Sequence, residues 1–202
     1  MIKIGITSNI KKYYKGYIDF IDHYWINFFE KKKIEYKLIP NSKYLSEKTL
    51  NQIDILILAG GNDIISKKKE SIIRNKIEIN LIKKAIKRKI PIFGICRGAQ
   101  LLNIKFGGRI SKVKNQMRTR HNIYFNKNDI IKKNILNVNS FHNYGIKYND
   151  FSKKLKIVAT DIDQNIEMFI SKKNKIIATM WHPEREKNKK ILINLLKELL
   201  KL

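Results

Sequence analysis

Short apolar runs alternate with longer amphipathic stretches through the first half of this chain. The runs at Ile2–Thr7, Glu35–Ile39, Ile53–Leu58 and Ile90–Gly94 are rich in Ile and bounded by turn residues, so they predict strands. Between them, Tyr17–Lys32 places Ile18, Ile21, Trp25, Phe28 and Phe29 on one helical face. Glu70–Lys89 does the same with Ile73, Ile77, Leu81, Ile82 and Ala85, and Ala99–Phe106 predicts a helix stopped by Gly107-Gly108. This alternation predicts an α/β fold with a mainly parallel central sheet flanked by helices.

The second half is richer in strands, at Asn122–Phe125, Ile135–Asn139, Leu155–Thr160, Ile166–Ile170 and Lys175–Met180. Polar turns at 161–165 and 172–174 separate the last three as hairpins. Ile191–Leu200 closes the chain as a helix with Ile191, Leu192, Leu195, Leu196 and Leu199 apolar. No repeat, Pro-rich linker or shift of composition interrupts this order, so residues 1–202 read as a single domain.

Composition changes this picture little. No apolar run reaches the length of a membrane-spanning helix, and the start of the chain lacks the long apolar stretch of a signal peptide. The single cysteine forms no internal disulfide, and a thiolate nucleophile suits a reducing cytoplasm, which is the expected location. No Cys/His cluster has metal-ligand spacing, so neither a metal nor a cofactor is expected. The formal charge of +26 invites a nucleic-acid reading. Against it, the lysines spread over the whole length, arginine is scarce, and no nucleic-acid-binding motif appears. The charge reads as a compositional bias able to attract an anionic small molecule. A small-molecule substrate is expected, with no specific nucleic acid, no membrane and the oligomeric state left open.

The chemistry centres on Cys96, in Phe93-Gly94-Ile95-Cys96-Arg97-Gly98-Ala99-Gln100. A lone cysteine is most often a small buried hydrophobe. Here it sits in a G-x-C-x-G turn between a strand and a helix, the form of a nucleophile elbow. Such a turn exposes the thiol at the carboxyl edge of a sheet, where the helix N-terminus favours thiolate. A candidate base lies far downstream in Met180-Trp181-His182-Pro183-Glu184. Pro183 ends the strand, and Glu184 is placed to orient the His182 imidazole. Upstream, a strand runs into Gly60-Gly61, so the N–H groups of Gly61 and Arg97 are candidate oxyanion donors.

The order Gly-Gly, then Gly-Ile-Cys-Arg-Gly-Ala-Gln, then Trp-His-Pro-Glu resembles the class I glutamine amidotransferases. Within them it resembles the γ-glutamyl hydrolase branch, peptidase C26, over nearly the whole chain. The resemblance implies a flavodoxin-like α/β fold, a triad of Cys96, His182 and Glu184, and a glutamyl pocket that includes Gln100. Val138-Asn139-Ser140-Phe141-His142-Asn143 is similar to the segment that lines that pocket in the family, which implicates Ser140 and His142. The Trp-His-Pro-Glu-Arg-Glu ending and the Tyr-Trp-x-x-Phe stretch resemble the γ-glutamyl-CDP-amidate hydrolases of capsular phosphoramidate synthesis. That likeness makes Arg185 a candidate contact for an anionic substrate, with solvent or Glu186 as its other candidate surroundings. Two alternatives stand beside this reading: a γ-glutamyl-γ-aminobutyrate-type hydrolase, and a glutaminase subunit that delivers ammonia to a separate synthetase. A non-enzymatic binding protein on the same fold is the third.

Overall fold

The parallel strands that carry the site come from the most apolar runs. The structure is a computed structural model and describes residues 2–126 and 130–202. In chain order its strands are β1 (Lys3–Thr7), β2 (Asn9–Tyr13), β3 (Gly16–Phe20), β4 (Glu35–Ile39), β5 (Ile55–Leu58), β6 (Ile92–Ile95), β7 (Ser111–Lys112), β8 (Met117–Phe125), β9 (Ile135–Phe141), β10 (Tyr144–Gly145), β11 (Lys156–Thr160), β12 (Ile166–Ser171) and β13 (Ile176–Thr179). The helices are α1 (His23–Lys32), α2 (Lys43–Leu50), α3 (Lys69–Lys87), α4 (Arg97–Lys105) and α5 (Lys190–Lys201).

Nine strands form one sheet in the order β4-β1-β5-β6-β13-β12-β11-β8-β9. The run from β4 to β13 is parallel, and the strands beyond it pair antiparallel. The mainly parallel sheet flanked by helices is therefore observed, with the strand-rich second half forming its antiparallel side. β5, β6 and β13 are buried at every position, because helices cover both faces. Trp25, Phe28 and Phe29 of α1 share one core with Leu192, Leu195 and Leu199 of α5. Leu50, Leu81, Ile82, Ala85, Leu101 and Leu102, from α2, α3 and α4, build a second core.

The predicted helix from Tyr17 is corrected at its start. Residues 16–20 pair antiparallel with 9–13 as a hairpin, and the helix begins at His23 behind Asp22. The Asp22 carboxylate accepts from the Tyr24 N–H and caps the helix. Ile18 and Ile21 fall at helical spacing from Trp25 and Phe28, so the pattern continues through a segment that pairs as a strand. α2 has no counterpart among the predicted elements; its Ser42 cap is its local start signal. β8 begins at Met117, earlier than the predicted Asn122.

Candidate functional site

Three neighbouring strands end at the same edge of the sheet and deliver the candidate groups. β6 lies between β5 and β13, with Gly94 opposite Leu58 on one side and Ile95 opposite Thr179 on the other. Cys96 follows β6 directly, Gly60-Gly61 follow β5, and His182 follows β13. Residues far apart in sequence therefore meet because their strands are neighbours.

The turn at Cys96 is strained. Its φ of 50° and ψ of −103° lie outside the comfortable regions for an L residue. The Cys96 N–H donates to Thr179 O at 2.7 Å, and its carbonyl accepts the Gln100 N–H at 3.0 Å, which holds the turn. The flanking glycines are required by close approach. A Cβ on Gly98 would stand 2.2 Å from Leu58 O, and one on Gly94 would stand 2.5 Å from Leu102 Cδ1. No side chain caps α4, so its leading N–H groups, that of Arg97 among them, are left for a ligand.

His182 is buried against this turn. Its Nδ1 lies 2.6 Å from Glu184 Oε1, since Pro183–Arg185 coil into a single 3₁₀ turn that folds Glu184 back onto the ring. Cys96 stands close enough to the same imidazole to act on its charge. Burial opposes charge on His182, but the Glu184 carboxylate and Cys96 together outweigh it and raise the imidazole to about 10. Two features absent from the motif reading position this ring. The Asn139 amide pairs with the His182 backbone, accepting its N–H at 3.0 Å and donating to its carbonyl at 2.8 Å. Gly60 leaves room for the ring, because a Cβ there would stand 2.6 Å from His182 Cε1.

Behind the Gly60-Gly61 turn lies a buried ion cluster. Arg74 and Glu78 of α3 pair at 3.0 Å, and Arg97 pairs with the other Glu78 oxygen. Burial opposes the charge on Glu78, yet Arg74 and Arg97 hold its carboxyl below the usual range. One carboxylate shared by two guanidiniums leaves Arg74 less fully compensated, and burial lowers it to about 10. Arg74 also donates to Ala59 O at 2.8 Å and to Gly60 O at 3.2 Å. In a trans peptide, C=O and N–H point opposite ways. Tying Gly60 O to α3 therefore turns the Gly61 N–H away from α3, and Gly61 lines the cavity beside Cys96. Gly61 has φ +112°, and Asn9 Oδ1 occupies the place of a Cβ.

The cavity itself measures about 140 Å³ and is lined by Gly61, Asn62, Cys96, Arg97, Gln100, Phe141, His142 and Tyr144, among others. Gln100 Nε2 donates to Tyr144 O at 2.6 Å. His142 is buried with both ring nitrogens free of hydrogen bonds. Burial, with the charges of His182 and His121, lowers it to about 4, so the ring is neutral. Ser140 stands apart from this set. It is fully buried, and its hydroxyl donates to Gln116 O at 2.6 Å, behind the cavity lining. Arg185 does not pair with Glu186: it donates to Asp22 at 2.9 Å and lies over the Phe141 ring, while Glu186 pairs with Arg120.

His121, Asp161 and Glu167 come together nearby with ligating atoms within 4.8 Å of one another, a juxtaposition no sequence spacing announces. Asp161 is already bonded by Gln116 and Asn165. A larger groove of about 700 Å³, lined by Tyr24, Lys31 and Lys189 among others, holds none of the candidate groups.

A cysteine on an elbow, an imidazole tied to a carboxylate and a glycine turn at one sheet edge define a recognisable class. Residues 4–184 match the peptidase C26 family, and the chain belongs to that family. Among particular relatives, it is 36% identical over 141 residues to the γ-glutamyl-CDP-amidate hydrolase of Campylobacter jejuni. That match covers 66% of this chain and 64% of the relative, a little under two thirds of its length. It is 29% identical over 151 residues to one chain of the glutamine-hydrolysing GMP synthase of Methanocaldococcus jannaschii, covering 73% of this chain and 74% of that one. In structure it resembles a glutamine amidotransferase from Thermotoga maritima, with TM-score 0.72 at 19% identity, over 99% of this chain and 84% of the other. Among the described residues no helix is long and apolar enough to cross a membrane.

Proposed function

We propose that this protein hydrolyses a γ-glutamyl amide-type bond through a cysteine thioester and releases glutamate. The observation that carries the reading is the buried His182–Glu184 pair set beside Cys96 at the ends of adjacent parallel strands. In the proposed mechanism the Cys96 thiolate attacks the γ-carbonyl carbon, and the carbonyl electron pair moves onto oxygen. The N–H groups of Gly61 and Arg97 receive that oxyanion. As the tetrahedral species collapses, the C–N bond breaks and the His182 imidazolium gives its proton to the departing nitrogen. Water then attacks the thioester, His182 takes its proton, and the C–S bond breaks to free glutamate. Glu184 holds the ring and stabilises its charged form.

Gln100 and His142 are assigned to the glutamyl group, since both line the cavity beside Cys96. Ser140 supports His142 by fixing Gln116, whose carbonyl also accepts the His142 N–H. For the leaving group, γ-glutamyl-CDP-amidate is the leading candidate, as in the Campylobacter relative's name. The likeness to a GMP synthase chain supports the second reading, a glutaminase that serves a separate synthetase. The test compares kcat/KM on γ-glutamyl-CDP-amidate, γ-glutamyl-aminobutyrate and glutamine with the isolated protein. Preference for the nucleotide conjugate is expected. Equal rates on the first two would remove the nucleotide reading, and no hydrolysis of any of the three would remove the whole proposal.

A further inference from the structure

The hairpin of β2 and β3 joins the site directly. Asn62, which lines the Cys96 cavity, closes on it twice: its Nδ2 donates to Ile10 O at 2.8 Å, and its Oδ1 accepts the Ile10 N–H at 3.2 Å. Asn9, at the base of β2, packs against Gly61 and accepts from Arg74. The hairpin thus leaves the carboxyl edge of the sheet at the wall of the cavity.

Its outer part presents an unusual surface. Tyr13, Tyr14, Tyr17 and Phe20 are four of the eight exposed aromatic rings among the described residues. Lys11 and Lys12 precede them along β2, and Lys15 lies in the turn. The register pairs Asn9 with Phe20, Lys11 with Ile18 and Tyr13 with Gly16. Directly opposed residues share a face, and alternate residues along a strand do too. Lys11, Tyr13 and Phe20 therefore share one face of the hairpin with Asn9, and the Lys11 ammonium lies 5.5 Å from the centre of the Phe20 ring. Exposed rings offer planes on which a base stacks, and ammonium groups neutralise phosphates. A glutamyl pocket needs neither.

We infer that the Asn9–Phe20 hairpin reads the leaving group, with Tyr13 and Phe20 stacking a nucleobase and Lys11 contacting the diphosphate of a nucleoside-diphosphate-bearing γ-glutamyl substrate. This rests on the γ-glutamyl hydrolase reading above. The strand pairing and its Asn62 anchor supply a fixed frame for these side chains.

The test uses the full chain and its Lys11→Ala/Tyr13→Ala variant, with CDP and inorganic pyrophosphate as separate probes in isothermal titration calorimetry. CDP should bind the parent chain more tightly than pyrophosphate, and about tenfold more weakly in the variant. In the same two proteins, kcat/KM for γ-glutamyl-CDP-amidate should fall about tenfold further than kcat/KM for glutamine. Melting curves compare folding, and Tyr13→Ser alone, at an exposed position, serves as a milder second variant. Absence of CDP binding, equal CDP affinity in parent and variants, or pyrophosphate binding as tight as CDP overturns the hairpin assignment while γ-glutamyl hydrolysis stands. CDP binding as expected with no γ-glutamyl hydrolysis by the parent chain overturns the underlying enzyme reading instead.

Discussion

At the scale of single residues, the proposed reaction turns on which group holds the proton. The His182 imidazole is raised to about 10 by Glu184 and Cys96 against the opposing effect of burial. A group raised in this way keeps its proton below that value and loses it as pH rises through it, so a step that needs imidazolium fails on the alkaline side. Glu184→Gln removes the carboxylate that contributes most to that rise. The alkaline limb of kcat/KM should move to lower pH, and a pH–rate profile checks it; an unmoved limb counts against the pairing. His182→Ala should lose roughly a further tenfold to hundredfold in kcat, because it removes the base itself and not only its orienter. Gly98 offers a different test. A methyl group there meets Leu58 O at 2.2 Å, and backbone cannot step aside as a flexible side chain does. Gly98→Ala should therefore lower the melting temperature and abolish turnover together. A folded, active variant would show that the elbow is looser than described. The Cys96, His182 and Glu184 candidates were legible because each sits in a short motif. Asn139 and Gly60 were not singled out, since their roles towards His182 exist only once β9, β5 and β13 are assembled.

At the scale of elements, α3 stiffens the glycine turn through Arg74. In the sequence, Arg74 and Glu78 are an ordinary i, i+4 pair of the kind found on exposed helix faces. Folding buries both and adds Arg97 from the elbow, which local spacing has no means to announce. Removing Arg74 leaves Glu78 paired with Arg97 but orphans the buried Ala59 and Gly60 carbonyls, at a cost of about 1–3 kcal/mol each. Arg74→Met should destabilise the protein on that scale in urea denaturation. It should also reduce kcat more than it raises KM, because the freed Gly60 carbonyl lets the Gly61 N–H turn from the oxyanion. A stability loss with kcat intact would assign the cluster to folding alone. The hairpin shows the opposite failure of sequence reading. Ile18 and Ile21 continue the α1 periodicity, so the pattern extends a helix through residues that pair with β2. The parallel strands were easier to read, as β5 and β6 are uninterrupted apolar runs buried on both faces.

At the scale of the whole molecule, the alternation of strands and helices anticipated the α/β sheet, while strand order emerged only in three dimensions. The consequence of that order is that β5, β6 and β13 stand side by side, which gathers residues 60, 96 and 182. The +26 charge acts at this scale as a field and carries no information about fold. If it steers an anionic substrate, added salt should lower kcat/KM for γ-glutamyl-CDP-amidate and leave the value for glutamine nearly constant. Parallel salt dependence for both would leave the charge without a part in substrate choice.

The most direct measurement is the intact mass of the protein after exposure to a glutamine-like electrophile, made alongside turnover in Cys96→Ala. Cys96 is the sole thiol, so the assignment is unambiguous. The account predicts one adduct, located at Cys96, with complete loss of γ-glutamyl hydrolysis in step with labelling and in the Cys96→Ala protein. Hydrolysis that persists in Cys96→Ala, or labelling elsewhere that abolishes turnover, would contradict it.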